Sequence, residues 1–146
     1  MNTKGEILLQ KRAASKPRNP NKWAKTGGHV DSGESETDAI QREIKEELGI
    51  EVPKEQAKVL SIYKSTNPDN KFFGYNFIFV IDYKIEDFVL QEDEVSEVKY
   101  FSIEQLEEIK QRNDPNYNFS AWGDEQFYNE MKVLKNKRNE VLNLSK

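Results

Sequence analysis

The sequence predicts an α+β layered domain, and three observations carry that prediction. Segments with strand character and segments with helix character are interleaved without a regular βαβ alternation. The strand-like segments are short and rich in aromatic and β-branched residues. The clearest helix carries Ile40, Ile44 and Leu48 as a stripe along one side, and such a stripe must dock on another layer. The 146 residues suffice for one domain with one core, and no repeat or linker divides them, so residues 1–146 are read as a single domain.

The elements follow in order. Glu6 to Arg12 (EILLQKR) holds a short apolar run and is read as a strand. Ala13 to Asn21 is basic, contains two prolines and is read as a loop. Trp23 to Val30 leads through Gly27-Gly28. Ser35 then suits a helix N-cap, with Asp38 three residues on as an acidic variant of the capping box. Gly49 suits the left-handed residue that ends that helix. Val59 to Lys64, Phe72 to Tyr83 and Val95 to Phe101 are read as strands, and Ile103 to Arg112 as a short helix. After the break at Asn113-Asp114-Pro115-Asn116, Asp124 to Arg138 is read as a terminal helix.

Composition excludes several functions. There is no cysteine, which removes disulfides, a thiol nucleophile and thiolate metal sites. No stretch approaches the roughly 20 apolar residues that span a bilayer, and Met1 to Gly5 lacks the apolar run of a secretory signal, so a cytoplasmic, membrane-free protein is expected. The net charge of −4 argues against binding a nucleic-acid polymer. That charge is unevenly placed. Up to residue 27 the chain holds Lys4, Lys11, Arg12, Lys16, Arg18, Lys22 and Lys25 against Glu6 alone, and the acidic remainder follows. A basic segment ahead of clustered carboxylates suits an anion clamped beside a cation, although a solvated lysine-rich loop has the same composition.

At about 100° per residue, Glu43, Glu46 and Glu47 share one face of the helix beside the apolar stripe, while Asp38 and Lys45 point away toward water. Like charges so placed repel by a few tenths of a kcal/mol per pair, about enough to call for compensation. A hard divalent cation would supply it, and a solvated acidic face is the alternative that spacing alone leaves open.

The wider pattern from Gly28 to Ile50, GHVDSGESETDAIQREIKEELGI, weighs against that alternative. Gly28 is followed after five residues by Glu34, then after seven by Arg42-Glu43-Ile44, Lys45, Glu46-Glu47, Leu48 and Gly49-Ile50. This resembles the complete signature box of the Nudix hydrolase family. LLQKR at 8–12, NPNKW, TGGHV and EVSEVKYFSIEQL at 94–106 are similar to flanking segments of that family, and NFSAW at 118–122 resembles segments near the end of some members.

The resemblance implies an α/β/α sandwich around a mixed central sheet. It also implies magnesium- or manganese-dependent cleavage of a phosphoanhydride bond in a small nucleoside-diphosphate-like substrate. Glu43, Glu46, Glu47 and the Gly28 carbonyl are implied as metal ligands, with Glu34 and Arg42 as an orienting ion pair. Glu43 and Glu46 are candidate bases, as are Glu92, Glu94 and Glu97 on a later loop, of which Glu94 is preferred. Arg12 resembles a position that meets substrate phosphate, and arginine's forked donors suit it. Lys25 and His29 are further substrate candidates, behind them Lys11, Lys16 and Lys22. Trp23, Phe72, Phe73 and Tyr75 are available for base stacking or for packing.

Family members generally carry one more strand before this point, and only five residues precede Glu6. The first strand is therefore expected to be missing, with the exposed edge covered by a second copy of the chain, as a homodimer, or by a C-terminal segment. Two further readings follow from the resemblance. One is an isopentenyl-diphosphate isomerase, whose common form implies a cysteine that this chain lacks. The other is a module that binds nucleotides without cutting them.

Overall fold

A computed structural model describes residues 1–65, 68, 69, 71–118 and 124–144. The strands are β1 (Ile7–Arg12), β2 (Trp23–Ala24), β3 (Lys58–Lys64), β4 (Phe73–Ile78) and β5 (Val95–Phe101), and the helices are α1 (Glu36–Leu48), α2 (Ile103–Gln111) and α3 (Asp124–Leu144).

β1 lies between β2 and β5, antiparallel to both, and β3 and β4 form a second antiparallel ladder. Among the described residues the expected mixed sheet resolves into two antiparallel ladders, with a parallel bridge joining Trp23 to Tyr117. Successive β1 residues point to opposite faces. Ile7 and Leu9 join the core beneath α2 and α3, built on Ile103, Leu106, Ile109, Phe127, Met131 and Leu134. Leu8 joins the core beneath α1, with Ile44, Leu48, Val95 and Val98, and Ile40 packs at its margin. Helices on both faces of the β1 sheet give the α/β/α layering, and the apolar stripe of α1 is what seats it there.

The helix ends follow the expected chemistry. The Ser35 hydroxyl accepts from the Asp38 N–H, and Gly49 takes φ of 68° with its N–H donating to the Lys45 carbonyl. Two boundaries differ. β4 stops at Ile78 rather than Tyr83, because the chain beyond it bonds to the N-terminus: the Met1 amino group donates to the Phe79 carbonyl at 2.8 Å, and the Ile81 N–H to the Met1 carbonyl at 3.0 Å. α3 runs past Arg138 to Leu144, because buried Phe127, Met131, Leu134 and Val141 continue the helical spacing.

The outer side of β2 is taken by residues 116–118. The Trp23 N–H donates to the Asn116 carbonyl and the Asn118 N–H to the Trp23 carbonyl, both at 2.8 Å. The rest of NFSAW, residues 119–122, lies outside the described residues. Among the described residues no helix is long and apolar enough to cross a membrane.

Candidate active site

The site is built where the β1 end, the segment after β2 and α1 meet. The register of β1 against β5 slips between Lys11 and Arg12, a local irregularity of the kind found beside functional sites. It leaves the Ala13 N–H donating to the Glu94 carbonyl at 2.8 Å, so the loop before β5 is tied to the end of β1.

Arg42 on α1 organises the corner. Its Nε and Nη2 form a fork on the two oxygens of Glu34, each at 3.0 Å, and Nη2 also donates to the His29 carbonyl at 3.0 Å. Its Nη1 donates to Glu43 Oε1 at 2.9 Å and to Glu46 Oε2 at 3.3 Å, and Asp31 lies 3.6 Å away. The hydrogen bond from Arg42, helped by the Asp31 N–H, holds the Glu34 carboxyl below its usual range. One guanidinium thereby fixes the segment from Asp31 to Glu34 against two of the acidic residues of α1.

Gly28 faces the Glu43 carboxylate. A Cβ at this position would stand 1.9 Å from Glu43 Oε1 and 2.2 Å from its Cδ. Only a residue without a side chain lets backbone come so close to that carboxylate. Glu47 is turned inward at 6% exposure and accepts from Gln10 Nε2 at 2.8 Å. Gln10 Oε1 in turn accepts from the Thr26 hydroxyl at 2.8 Å. Burial pushes the Glu47 carboxyl up to about 7, and the nearby charges of Glu43 and Glu94 add to this.

Glu43, Glu46 and Glu47 are neighbours, but they are not gathered on one point. Among the described residues no three acidic or histidine side chains are close enough together to hold a metal ion. Glu43 and Glu46 accept from the Arg42 guanidinium, whereas Glu47 accepts from the neutral Gln10 amide. The donors themselves are hard carboxylate oxygens beside a bare glycine backbone, a set whose chemistry suits magnesium or manganese.

The other candidates are placed unevenly. Glu94 is paired with Lys16 Nζ and lies near enough to raise the Glu47 carboxyl. Arg12 donates from Nε to the Arg18 carbonyl at 3.0 Å and stabilises ionised Glu47 by its charge. Glu97 stands 3.9 Å from Lys11. His29 is exposed, and its contribution to the corner is its carbonyl. Lys25 points elsewhere: it is paired at 3.6 Å with buried Glu130 of α3. Trp23 packs edge-on against Phe101 and stacks with Tyr117, which makes it a core residue. Phe73, in contrast, is 66% exposed.

Sequence reasoning missed Gln10, Thr26 and Asp31. The signal for Gln10 was present, since a polar residue follows the apolar pair Leu8-Leu9 at a position that the strand buries to 2% exposure.

The chain has known relatives. The chain matches the NUDIX domain family over residues 1–123. It is 31% identical over 124 residues to Nudix hydrolase 3 of Arabidopsis thaliana, covering 79% of this chain and 16% of that protein. It is 32% identical over 105 residues to isopentenyl-diphosphate Delta-isomerase 2 of Photorhabdus laumondii, covering 70% of this chain and 58% of the other. The crystal structure of DR0079 from Deinococcus radiodurans superposes with a TM-score of 0.65 at 20% identity, covering 92% of this chain and 76% of that one, a likeness of fold. The chain spans less than two thirds of the length of these curated relatives. With residues 1–123 matching the family throughout, and with its signature segment folded as the loop and helix just described, the chain belongs to the NUDIX domain family.

Proposed function

We propose that this protein hydrolyses a phosphoanhydride bond in a small nucleoside-diphosphate-linked molecule, with magnesium or manganese as its cofactor. The observation that carries this reading is the close approach of the Gly28 backbone to Glu43, beside Glu46 and Glu47 on one helix. Glu43, Glu46, Glu47 and the Gly28 carbonyl would hold the metal. A bound divalent ion neutralises charge on the diphosphate oxygens and favours ionisation of water.

The chain's own residues supply the rest. Glu46, with its side chain 54% exposed and held by Arg42, is the best placed to accept the proton of the attacking water. The water oxygen bonds to phosphorus, the bridging P–O bond breaks, and the leaving phosphate takes the electron pair. Glu94 is the alternative base, once released from Lys16. Arg12 and Lys16, at the rim, would hold the substrate's phosphate oxygens. Glu34 and Arg42 position the loop. The reading places the reaction in the cytoplasm, where nucleotide diphosphates and magnesium are both available.

The test is a panel of nucleoside triphosphates, ADP-ribose, dinucleoside polyphosphates, sugar nucleotides and coenzyme A, assayed with magnesium and phosphate detection. Hydrolysis of at least one, lost on chelation and restored by magnesium or manganese, is expected. Tight binding by calorimetry without any product would replace this reading with a binding module. The isomerase likeness supplies a second reading, and the lack of cysteine opposes it. Isopentenyl diphosphate is therefore expected to remain unisomerised.

A further inference from the structure

One buried amide joins the three segments that make the acidic corner. Gln10 lies on β1, the strand flanked on both sides, opposite Ala24 of β2 and Val98 of β5. Its backbone is thereby held from two directions, and the residue is 2% exposed. A buried amide has to set its oxygen against a donor and its NH2 group against an acceptor. Gln10 finds them on two other segments. Its Nε2 donates to Glu47 Oε2 of α1, and its Oε1 accepts from the Thr26 hydroxyl, both at 2.8 Å.

The two contacts fix each other's sense. The Thr26 hydroxyl donates to the amide oxygen, which turns the amide NH2 to the carboxylate. The reversed amide would set its oxygen against a Glu47 oxygen, two acceptors at hydrogen-bond distance with no proton between them. Burial makes that arrangement costly. Thr26 also lies two residues before Gly28, so their Cα atoms are at most ~7 Å apart. One side chain on a firmly paired strand thus ties the segment that carries Gly28 to the helix that carries Glu43, Glu46 and Glu47. The carboxyl it holds stands where the charges of Glu43, Glu94 and Arg12 all act on it.

We infer that Gln10 and Thr26 are positioning residues for the metal site: the Gln10 amide, held in one sense by the Thr26 hydroxyl, aims Glu47 and sets the Gly28 segment against α1. The inference rests on the reading of Glu43, Glu46, Glu47 and the Gly28 carbonyl as metal ligands. Both polar atoms of the Gln10 side chain are already bonded, so the amide acts through Glu47 and not as a ligand itself. Removing the hydrogen-bond partner of a ligating group weakens metal binding by about 10- to 100-fold.

The test reads metal binding without turnover. Thr26→Val keeps the shape of the side chain and removes its donor, and Gln10→Leu removes the amide. Manganese titrated into each protein without substrate, with the free ion followed by electron paramagnetic resonance, is expected to show Kd raised about tenfold or more in both variants. Thr26→Ser restores the hydroxyl and is expected to return Kd to within about threefold of the parent. In metal-free, isotope-labelled protein, the Gln10 side-chain amide protons are expected to exchange with solvent faster in Thr26→Val than in the parent. Gln10→Leu leaves Glu47 buried without its donor, so Thr26→Val carries the test should that variant not fold. A merely structural tie would lower Tm and leave the manganese affinity of the folded protein where it was. A folded Thr26→Val protein with the parent's Kd, or a loss that serine does not restore, would overturn the inference and leave the hydrolase reading standing. Weakened manganese binding, restored by serine, in a protein that hydrolyses no diphosphate would sustain the inference and remove the hydrolase reading.

Discussion

Replacing Gly28 by alanine probes the acidic corner with a single methyl group. The backbone tolerates it, because Gly28 is not among the residues with positive φ. The new Cβ would stand 1.9 Å from Glu43 Oε1 and 2.7 Å from Oε2. Ordinary contact needs about 3.5 Å, so the carboxylate must move by roughly 1.5 Å. It can move, because it is the end of a flexible side chain, and the fold pays little. Loosening the contact to partly exposed Arg42 costs about 1 kcal/mol or less, a fall in Tm of about 3 °C. Activity suffers more, since misplacing a reacting group by about 1 Å costs about 10²-fold. Gly27→Ala is the matched control: a Cβ there meets nothing within 4 Å. The assay measures kcat with magnesium and Tm by calorimetry for both variants. A Gly28→Ala enzyme with kcat within about threefold of the parent would refute the reasoning, as would equal losses in both variants.

Other consequences can be checked separately. Gly49→Ala places a Cβ 2.6 Å from the Val89 carbonyl oxygen at φ of 68°, and neither backbone strain nor contact can relax cheaply. A loss of about 2 kcal/mol is expected by denaturant unfolding, and an unchanged midpoint would contradict it. Burial, with the charges of Asp82, Glu6 and Asp87 adding, pushes the Tyr100 hydroxyl up to about 12, and that hydroxyl donates to the Tyr83 carbonyl at 2.8 Å. The folded state favours the neutral phenol, so this stabilisation is complete below about pH 10 and is lost as pH rises through 12. Absorbance titration should show Tyr100 ionising late, and Tyr100→Phe should remove its share of the late step. Light scattering tests the homodimer expected from the sequence: twice 17.1 kDa supports it, and 17.1 kDa at high concentration removes it.

The layered fold and the helix of the signature segment were legible because their determinants are local. Ser35, Gly49 and the Ile40, Ile44, Leu48 stripe need only near neighbours to be read, and β5 falls at the residues its pattern indicates. The end of β4 was not legible, because it depends on Met1 bonding to residues about 80 positions away. Lys25 shows the same limit. Its place in the basic N-terminal segment suggested a substrate contact, but strand alternation and the packing of α3 direct it to Glu130, a residue more than 100 positions on. The Arg42 hub was half visible: its partner Glu34 lies within the signature, but the attachment to Glu43 and Glu46 depends on charge balance in three dimensions. Thr26 was silent for the same reason, and the polar residue at Gln10 did not disclose its partner, since their tie to Glu47 crosses from sheet to helix.

The account depends above all on the exposed carboxylate of Glu46 serving a metal-assisted attack by water. Turnover of a hydrolysed diphosphate by Glu46→Gln, measured at saturating magnesium beside the parent protein, tests this most directly. The expected result is a kcat lower by about 10² to 10⁴ with folding intact, because the substitution removes one of several like charges from that helix. A folded Glu46→Gln protein with the parent's kcat would contradict the account.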